Sequence, residues 1–204
     1  MRLYLSSYRL GSRAGALRWA GSGAGRALVV MNALDGYGAG RSRSWRREEA
    51  DLAALGYAAD ELDLRDPGDL EACLAETDLL WVVGGNAFVL ARAMTAAGFG
   101  DALRSAWATR DHVVYGGYSA GACVAGPDLA GIELMDDPDA HDPDAPTVRA
   151  QALGLIPERI VPHWRSDHPE SPAAERAARH LAHLGLPHRT LRDGDDLLVG
   201  FDSD

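Results

Sequence analysis

Four short apolar runs constrain this chain most: LYLSS (3–7), ALVVMN (27–32), LLWVVG (79–84) and HVVYGG (112–117). Each is continuous rather than alternating and is bounded by glycine or polar residues, the pattern of strands buried on both faces. IVPH (160–163) and LLVG (197–200) are weaker runs of the same kind. Helical patterns fill the gaps: WRREEADLAALG (45–56), DLEACLAE (69–76), FVLARAMTAAG (88–98) and ALRSAWATR (102–110). A last helix starts at Ser171, predicted as its capping residue with Pro172 behind it, and stops at Gly185. Strands and helices in alternation predict an α/β fold of three layers, with helices on both faces of a mostly parallel central sheet. No repeat or linker divides the 204 residues, so a single domain is expected at roughly 100–200 residues per domain.

Composition removes several functional classes. The net charge of −10 argues against a nucleic-acid partner, because such binding neutralises phosphates with a basic face. All 20 basic residues are arginine, which excludes a lysine nucleophile, a Schiff base and a P-loop lysine. The basic stretch RSRSWRR (41–47) reads as a solvated surface leading into a helix, with binding of an acidic ligand as the sharper alternative. The two cysteines, Cys73 and Cys123, form no disulfide framework or zinc ribbon and read as small buried hydrophobes. Only LYL follows Met1 and Arg2 before the serines, and no apolar run reaches the ~18–20 residues of a membrane span. The expectation is a soluble, cytoplasmic protein without a membrane partner. Residues 126–157 break the regular pattern with the acidic MDDPDAHDPDAP (135–146). It reads as a solvated loop, since its carboxylates lack the spacing of a calcium-binding EF-hand.

Gly117-Tyr118-Ser119-Ala120-Gly121 matches G-x-S-x-G between an apolar strand and a small-residue helix. Small neighbours permit the strained strand-to-helix turn that exposes a serine at its tip, and the next amide supplies half of an oxyanion hole. A second glycine turn, WVVGGNAF (81–88), follows another strand. There Gly84 and Gly85 can turn amides toward a ligand, and Asn86 can cap the next helix. Two such turns on adjacent parallel strands would open at one crevice.

A serine nucleophile needs a base. His180 and His183 lie on a helix, His112 starts a strand, His141 sits in the acidic loop and His188 precedes a late segment. His163 directly follows the strand IVP, where active-site loops begin. His163, Asp167 and His168 form a conceivable metal set, but no third histidine or cysteine is near them in sequence, and no metal is expected. Carboxylates that could orient the base are Asp193 in LRDGDDLLV, Asp167, Glu170 and the acidic loop; Asp195 and Asp196 read as exposed. An α/β-hydrolase order of serine, acid, histidine would draw the acid from Asp136 to Asp144 and would want an HGGG-type donor turn, which this chain lacks. The other order is Ser119, His163, Asp193, with GGN giving the second donor.

Seven blocks in order then carry a resemblance: LYLSSYRLG, NALDGYG (32–38), ELDLRD (61–66), VVGGNAFVL (82–90), YGGYSAGA (115–122), IVPHWRSDHPES (160–171) and LRDGDDLLV (191–199). Through them the chain resembles the peptidase E family of serine peptidases, the aspartyl dipeptidases. The resemblance implies a fold akin to class I glutamine amidotransferases, with serine at the elbow where those enzymes carry cysteine. It implies Ser119 as nucleophile, His163 as base and Asp193 as the third member, where the best-known branch has glutamate. It puts the oxyanion hole at the amides of Gly85 and Ala120. The implied substrates are short peptides with N-terminal aspartate, with no cofactor. The family's aspartate-selecting arginine falls on an alanine here, so Arg176 and Arg165, with Asn86, are the substrate-binding candidates. A same-fold hydrolase of other specificity, such as a cyanophycinase-like one, and a non-catalytic small-molecule binding protein are the alternatives. A homodimer is the default assembly, carried by no sequence feature.

Overall fold

The computed structural model describes residues 1–110, 113–140 and 148–201. His112, His141 and most of the second half of the acidic loop lie outside the described residues.

The elements run β1 (Arg2–Ser6), β2 (Gly25–Val30), α1 (Ala39–Ala54), β3 (Tyr57–Glu61), α2 (Leu70–Ala75), β4 (Leu79–Val82), α3 (Ala87–Ala96) and α4 (Phe99–Thr109). Then come β5 (Val114–Tyr118), α5 (Ala120–Cys123), β6 (Arg159–Val161), α6 (Ser171–His183), β7 (His188–Thr190) and β8 (Asp196–Val199). The main sheet has the order β3-β2-β4-β5-β1-β8. All its pairings are parallel except β1 with β8, which closes one edge antiparallel. β6 and β7 form a separate parallel pair.

The continuous apolar strands are buried on both sides, as that pattern requires. One face packs Leu3, Leu5, Leu28, Val30, Leu80 and Val82 against α2, α3, α4 and α5. The other packs Tyr4, Val29 and Trp81 against Leu52 of α1, Leu55 and Leu17. This is the three-layer arrangement expected. α6 rests its alanine face and Leu181 against Val161 beside the small sheet.

Two local expectations are corrected. Ser171 is the first residue of α6 rather than its cap, and its hydroxyl accepts the amide of Ser166 at 3.1 Å across the loop. Asp196 is buried, because it accepts the Tyr4 hydroxyl at 3.2 Å and pairs with Arg13 at 2.5 Å.

The strand order fixes where chemistry can occur. β4, β5 and β1 are neighbours in parallel, with Val82 opposite Gly117 and Ser6 opposite Tyr118. Their carboxyl ends therefore open side by side, where open α/β sheets bind ligands. Among the described residues, no helix is long and apolar enough to cross a membrane.

Candidate active site

Ser119 leaves β5 at φ 48°, ψ −115° before α5 begins. A non-glycine residue at positive φ stores on the order of 1–3 kcal/mol of strain and persists only where its surroundings over-determine it. Here the Ser119 amide donates to the carbonyls of Ser6 and Ser7 at 3.2 and 3.1 Å, and the Tyr115 hydroxyl holds the Gly121 carbonyl at 2.7 Å. Gly121 is needed for close approach, since a Cβ there would lie 2.2 Å from the Val82 carbonyl. The turn is built against β4 and tolerates nothing larger.

His163 follows β6, is 2 % exposed, and also has positive φ at 59°. Its Nε2 lies 3.2 Å from Ser119 Oγ, and its Nδ1 lies 2.8 Å from Asp193 Oδ1. With a carboxylate at Nδ1, the neutral ring carries its proton there and Nε2 can accept from the serine. Asp193 is mounted past β7 by its own amide, which donates to Ser166 Oγ at 2.8 Å. The Ser119, His163, Asp193 order thus gives a connected chain of hydrogen bonds. Asp136 instead accepts the Ala87 amide at 2.8 Å at the start of α3, and burial pushes its carboxyl up to about 6. The beginning of the acidic loop is therefore docked on α3 rather than solvated, with the Asp137 carbonyl accepting from Asn86 at 2.9 Å.

Ser7 is the residue that sequence reasoning missed. Fully buried at the end of β1, it donates its hydroxyl to Asp193 Oδ1 at 2.7 Å and accepts the His163 amide at 2.7 Å. Its carbonyl meanwhile accepts the Ser119 amide. One serine therefore touches all three candidate residues, and the only sequence signal was its place at a strand end. Ser7→Ala is expected to lower turnover about tenfold and to cost about 1–3 kcal/mol of stability, the penalty for leaving a buried amide and carboxylate oxygen short of a partner. Steady-state kinetics and denaturant unfolding read the two effects.

His168 stacks on His163 with ring centroids 3.8 Å apart and planes 9° apart, and Tyr8 meets both rings. Parallel rings keep their in-plane lone pairs in separate parallel planes, and His163 Nδ1 already faces Asp193. Although His163, His168 and Asp193 bring ligand atoms within 4.8 Å of one another, they do not converge as a tetrahedral metal site demands. Asp167 lies apart, in a groove with Arg176.

Burial is the main reason His163 titrates below its ordinary value; Asp193 and Glu170 oppose that shift and His168 adds to it. Neutral His163 is the form able to accept a proton, so activity should persist to a pH lower than an ordinary histidine would allow. Replacing His168 by Gln removes a like charge and should move the acid limb of kcat/KM upward in a pH–rate profile.

An open cavity of ≈ 190 Å³ lies at these strand ends, lined by Tyr8, Tyr37, Arg47, Gly85, Ser119 and Glu170 among others. Gly85 sits at φ 142°, and a Cβ there would meet the Ala33 carbonyl at 2.3 Å. Ala120 opens α5, where an amide has no intrahelical partner. Asn86 is committed to capping α3, accepting from the amides of Phe88 and Val89. The guanidinium of Arg165 lies over the Trp164 ring at 4.5 Å, and Arg176 lines the neighbouring groove. None of these three lines the cavity beside Ser119. Cys123 is buried one turn past the elbow, its thiol pushed up by burial and held 3.4 Å from the Ile160 carbonyl. Tyr118 is fixed by buried Glu48, which accepts from its hydroxyl and from Trp81 at 2.9 Å each.

Comparison with known proteins matches this architecture. The model of Peptidase family S51 matches residues 42–201. Peptidase E of Streptomyces coelicolor is 34% identical over 141 residues, 67% of this chain and 54% of that protein. A Drosophila melanogaster protein named as a probable alpha-aspartyl dipeptidase is 34% identical over 137 residues, 64% of this chain and 53% of that one. The chain thus spans about half the length of these curated relatives. The crystal structure of a peptidase from an acI-B1 Actinobacterium superposes with a TM-score of 0.72 at 18% identity, covering 98% of this chain and 84% of that one. A Listeria monocytogenes EGD-e structure provisionally named Peptidase E reaches 0.80 at 19% identity, covering 98% and 95%. At such identities the superpositions speak for the fold, while the family match rests on sequence: the chain belongs to peptidase family S51.

Proposed function

We propose that the protein is a serine dipeptidase that hydrolyses short peptides with N-terminal aspartate through an acyl-enzyme on Ser119. The observation that carries the reading is the chain Asp193 Oδ1, His163 Nδ1, His163 Nε2, Ser119 Oγ, at 2.8 and 3.2 Å, opening into a cavity. Ser119 Oγ attacks the carbonyl carbon while His163 Nε2 takes its proton. The C–N bond breaks, His163 returns the proton to the leaving amine, and water hydrolyses the resulting ester by the same path. The amides of Gly85 and Ala120 receive the developing oxyanion. A cavity of ≈ 190 Å³, below the roughly 300–1,000 Å³ of drug-sized sites, suits one or two residues rather than a long chain. The unpaired cysteines, Cys73 and Cys123, fit a reducing cytoplasmic setting.

The test is a dipeptide panel varied at the first residue, run beside a serine-directed phosphonate probe. The reading expects Asp-X turnover and label on Ser119. Absence of cleavage across the panel, with Ser119 unlabelled, overturns it.

A further inference from the structure

Resting on that reading, we propose that Arg47 of α1, not an arginine of the α6 region, binds the acidic side chain of the substrate's first residue, with Glu170 receiving the free α-ammonium. Arg47 and Glu170 line the same cavity as Ser119, and Arg47 is the sole arginine among its described lining residues. The Arg47 guanidinium donates to Ser44 Oγ at 3.2 Å, and Ser44 also lines the cavity. Among the described residues Arg47 has no ion pair, whereas Arg41, on the same helix, pairs with Glu61 and lies near Asp35. Within the basic stretch of α1, Arg41 is thus paired with acids while Arg47 lines the cavity.

The other pole follows from covalent geometry. A substrate's α-nitrogen is two bonds from the carbonyl carbon that Ser119 attacks, about 2.5 Å away with standard bond lengths and angles. Glu170 Oε2 lies 3.8 Å from His163 Nε2, beside the nucleophile, where that ammonium must sit. The side-chain carboxylate of an N-terminal aspartate leaves the substrate's Cα in another direction, toward the rest of the cavity lining, to which Arg47 belongs. A cation and an anion lining one cavity match a zwitterionic residue and repel its charge-reversed counterpart. Arg165, stacked on Trp164, and Arg176, in the groove beyond His168, do not line this cavity.

The experiment measures binding, so that it does not depend on turnover. Calorimetry on Ser119→Ala compares an aspartyl dipeptide with its asparaginyl isostere, which keeps shape and loses charge. Arginine–carboxylate recognition predicts about 10- to 100-fold tighter binding of the aspartyl peptide. The double variant Ser119→Ala/Arg47→Gln should bring that ratio near unity while leaving asparaginyl binding unchanged, and Ser119→Ala/Arg176→Gln should preserve it. N-acetylation of the peptide should weaken binding to Ser119→Ala but not to Ser119→Ala/Glu170→Gln. A preference that survives Arg47→Gln, or no preference in Ser119→Ala, overturns the proposal. A wild type that binds with this preference yet cleaves nothing refutes the peptidase reading and leaves the subsite standing.

Discussion

Ser119→Ala is expected to lose about 10⁶-fold in kcat, the scale on which removing a triad nucleophile acts. The fold should persist, because the elbow is held by backbone hydrogen bonds and by close packing of Gly121 on Val82 rather than by the serine hydroxyl. A companion, Ser119→Gly, separates chemistry from strain. Alanine at φ 48°, ψ −115° is as strained as serine, while glycine enters this mirror-image region freely. The glycine variant should therefore be equally inactive yet about 1 kcal/mol more stable than the alanine variant, reversing the usual order of the two residues. Peptide turnover and denaturant midpoints check both halves. Substantial turnover by either variant would remove Ser119 from the mechanism, and an alanine variant more stable than the glycine one would remove the strain.

The second large effect belongs to Asp193, and it should depend strongly on the replacement. Ser7 Oγ and His163 Nδ1 both reach the same oxygen, Oδ1, at 2.7 and 2.8 Å. Asparagine can put its carbonyl there, keep both contacts and preserve the histidine tautomer, losing only the charge that steadies the imidazolium. At 1.5–3 kcal/mol for a hydrogen bond to a charged group, Asp193→Asn should cost about 10²-fold in kcat. Asp193→Ala also frees the ring to reorient and should cost about 10⁴-fold. Asp193 opposes the downward shift of His163, so the asparagine variant should also move the acid limb lower. Equal losses in the two variants would show that the asparagine amide has turned and imposed the wrong tautomer. Near-normal rates in both would pass the role to another carboxylate.

The parts of the fold that were legible in the sequence are those whose burial is complete. β1, β2, β4 and β5 sit inside the sheet, and their apolar runs announce them. β3, YAADE, and β7, HRT, escaped because each is exposed along much of its length and carries no apolar run. Ser119 and His163 could be located because each follows an apolar strand, whereas Asp193, in a glycine turn, stands among several carboxylates and is singled out by the resemblance. Ser7 could not, since a serine after a strand carries no local signature, and the basic stretch 41–47 carries an acidic-ligand alternative without singling out Arg47. Their importance arises only when β1 is laid beside β5 and α1 over the strand ends. Asn86 shows the converse: its local capping signal was present, and the cap together with the Asp137 carbonyl occupies its side chain.

The division of the sheet also bears on how the site comes together. His163 leaves β6 and Asp193 leaves β7, and these two strands pair only with each other. His163 and Asp193 thus leave adjacent paired strands, further tied by the Trp164 amide to the Leu191 carbonyl at 3.0 Å. Ser119 instead follows β5 of the six-stranded sheet. The two sheets are joined by Ile160 and Leu191, which pack in the main core, by the Cys123 thiol on the Ile160 carbonyl, and by the Ser7 amide on the Asp195 carbonyl. The buried hydroxyl of Ser7, bonded to Asp193 and to the His163 amide, is a polar link between the sheet that carries Ser119 and the strand pair that carries the other two.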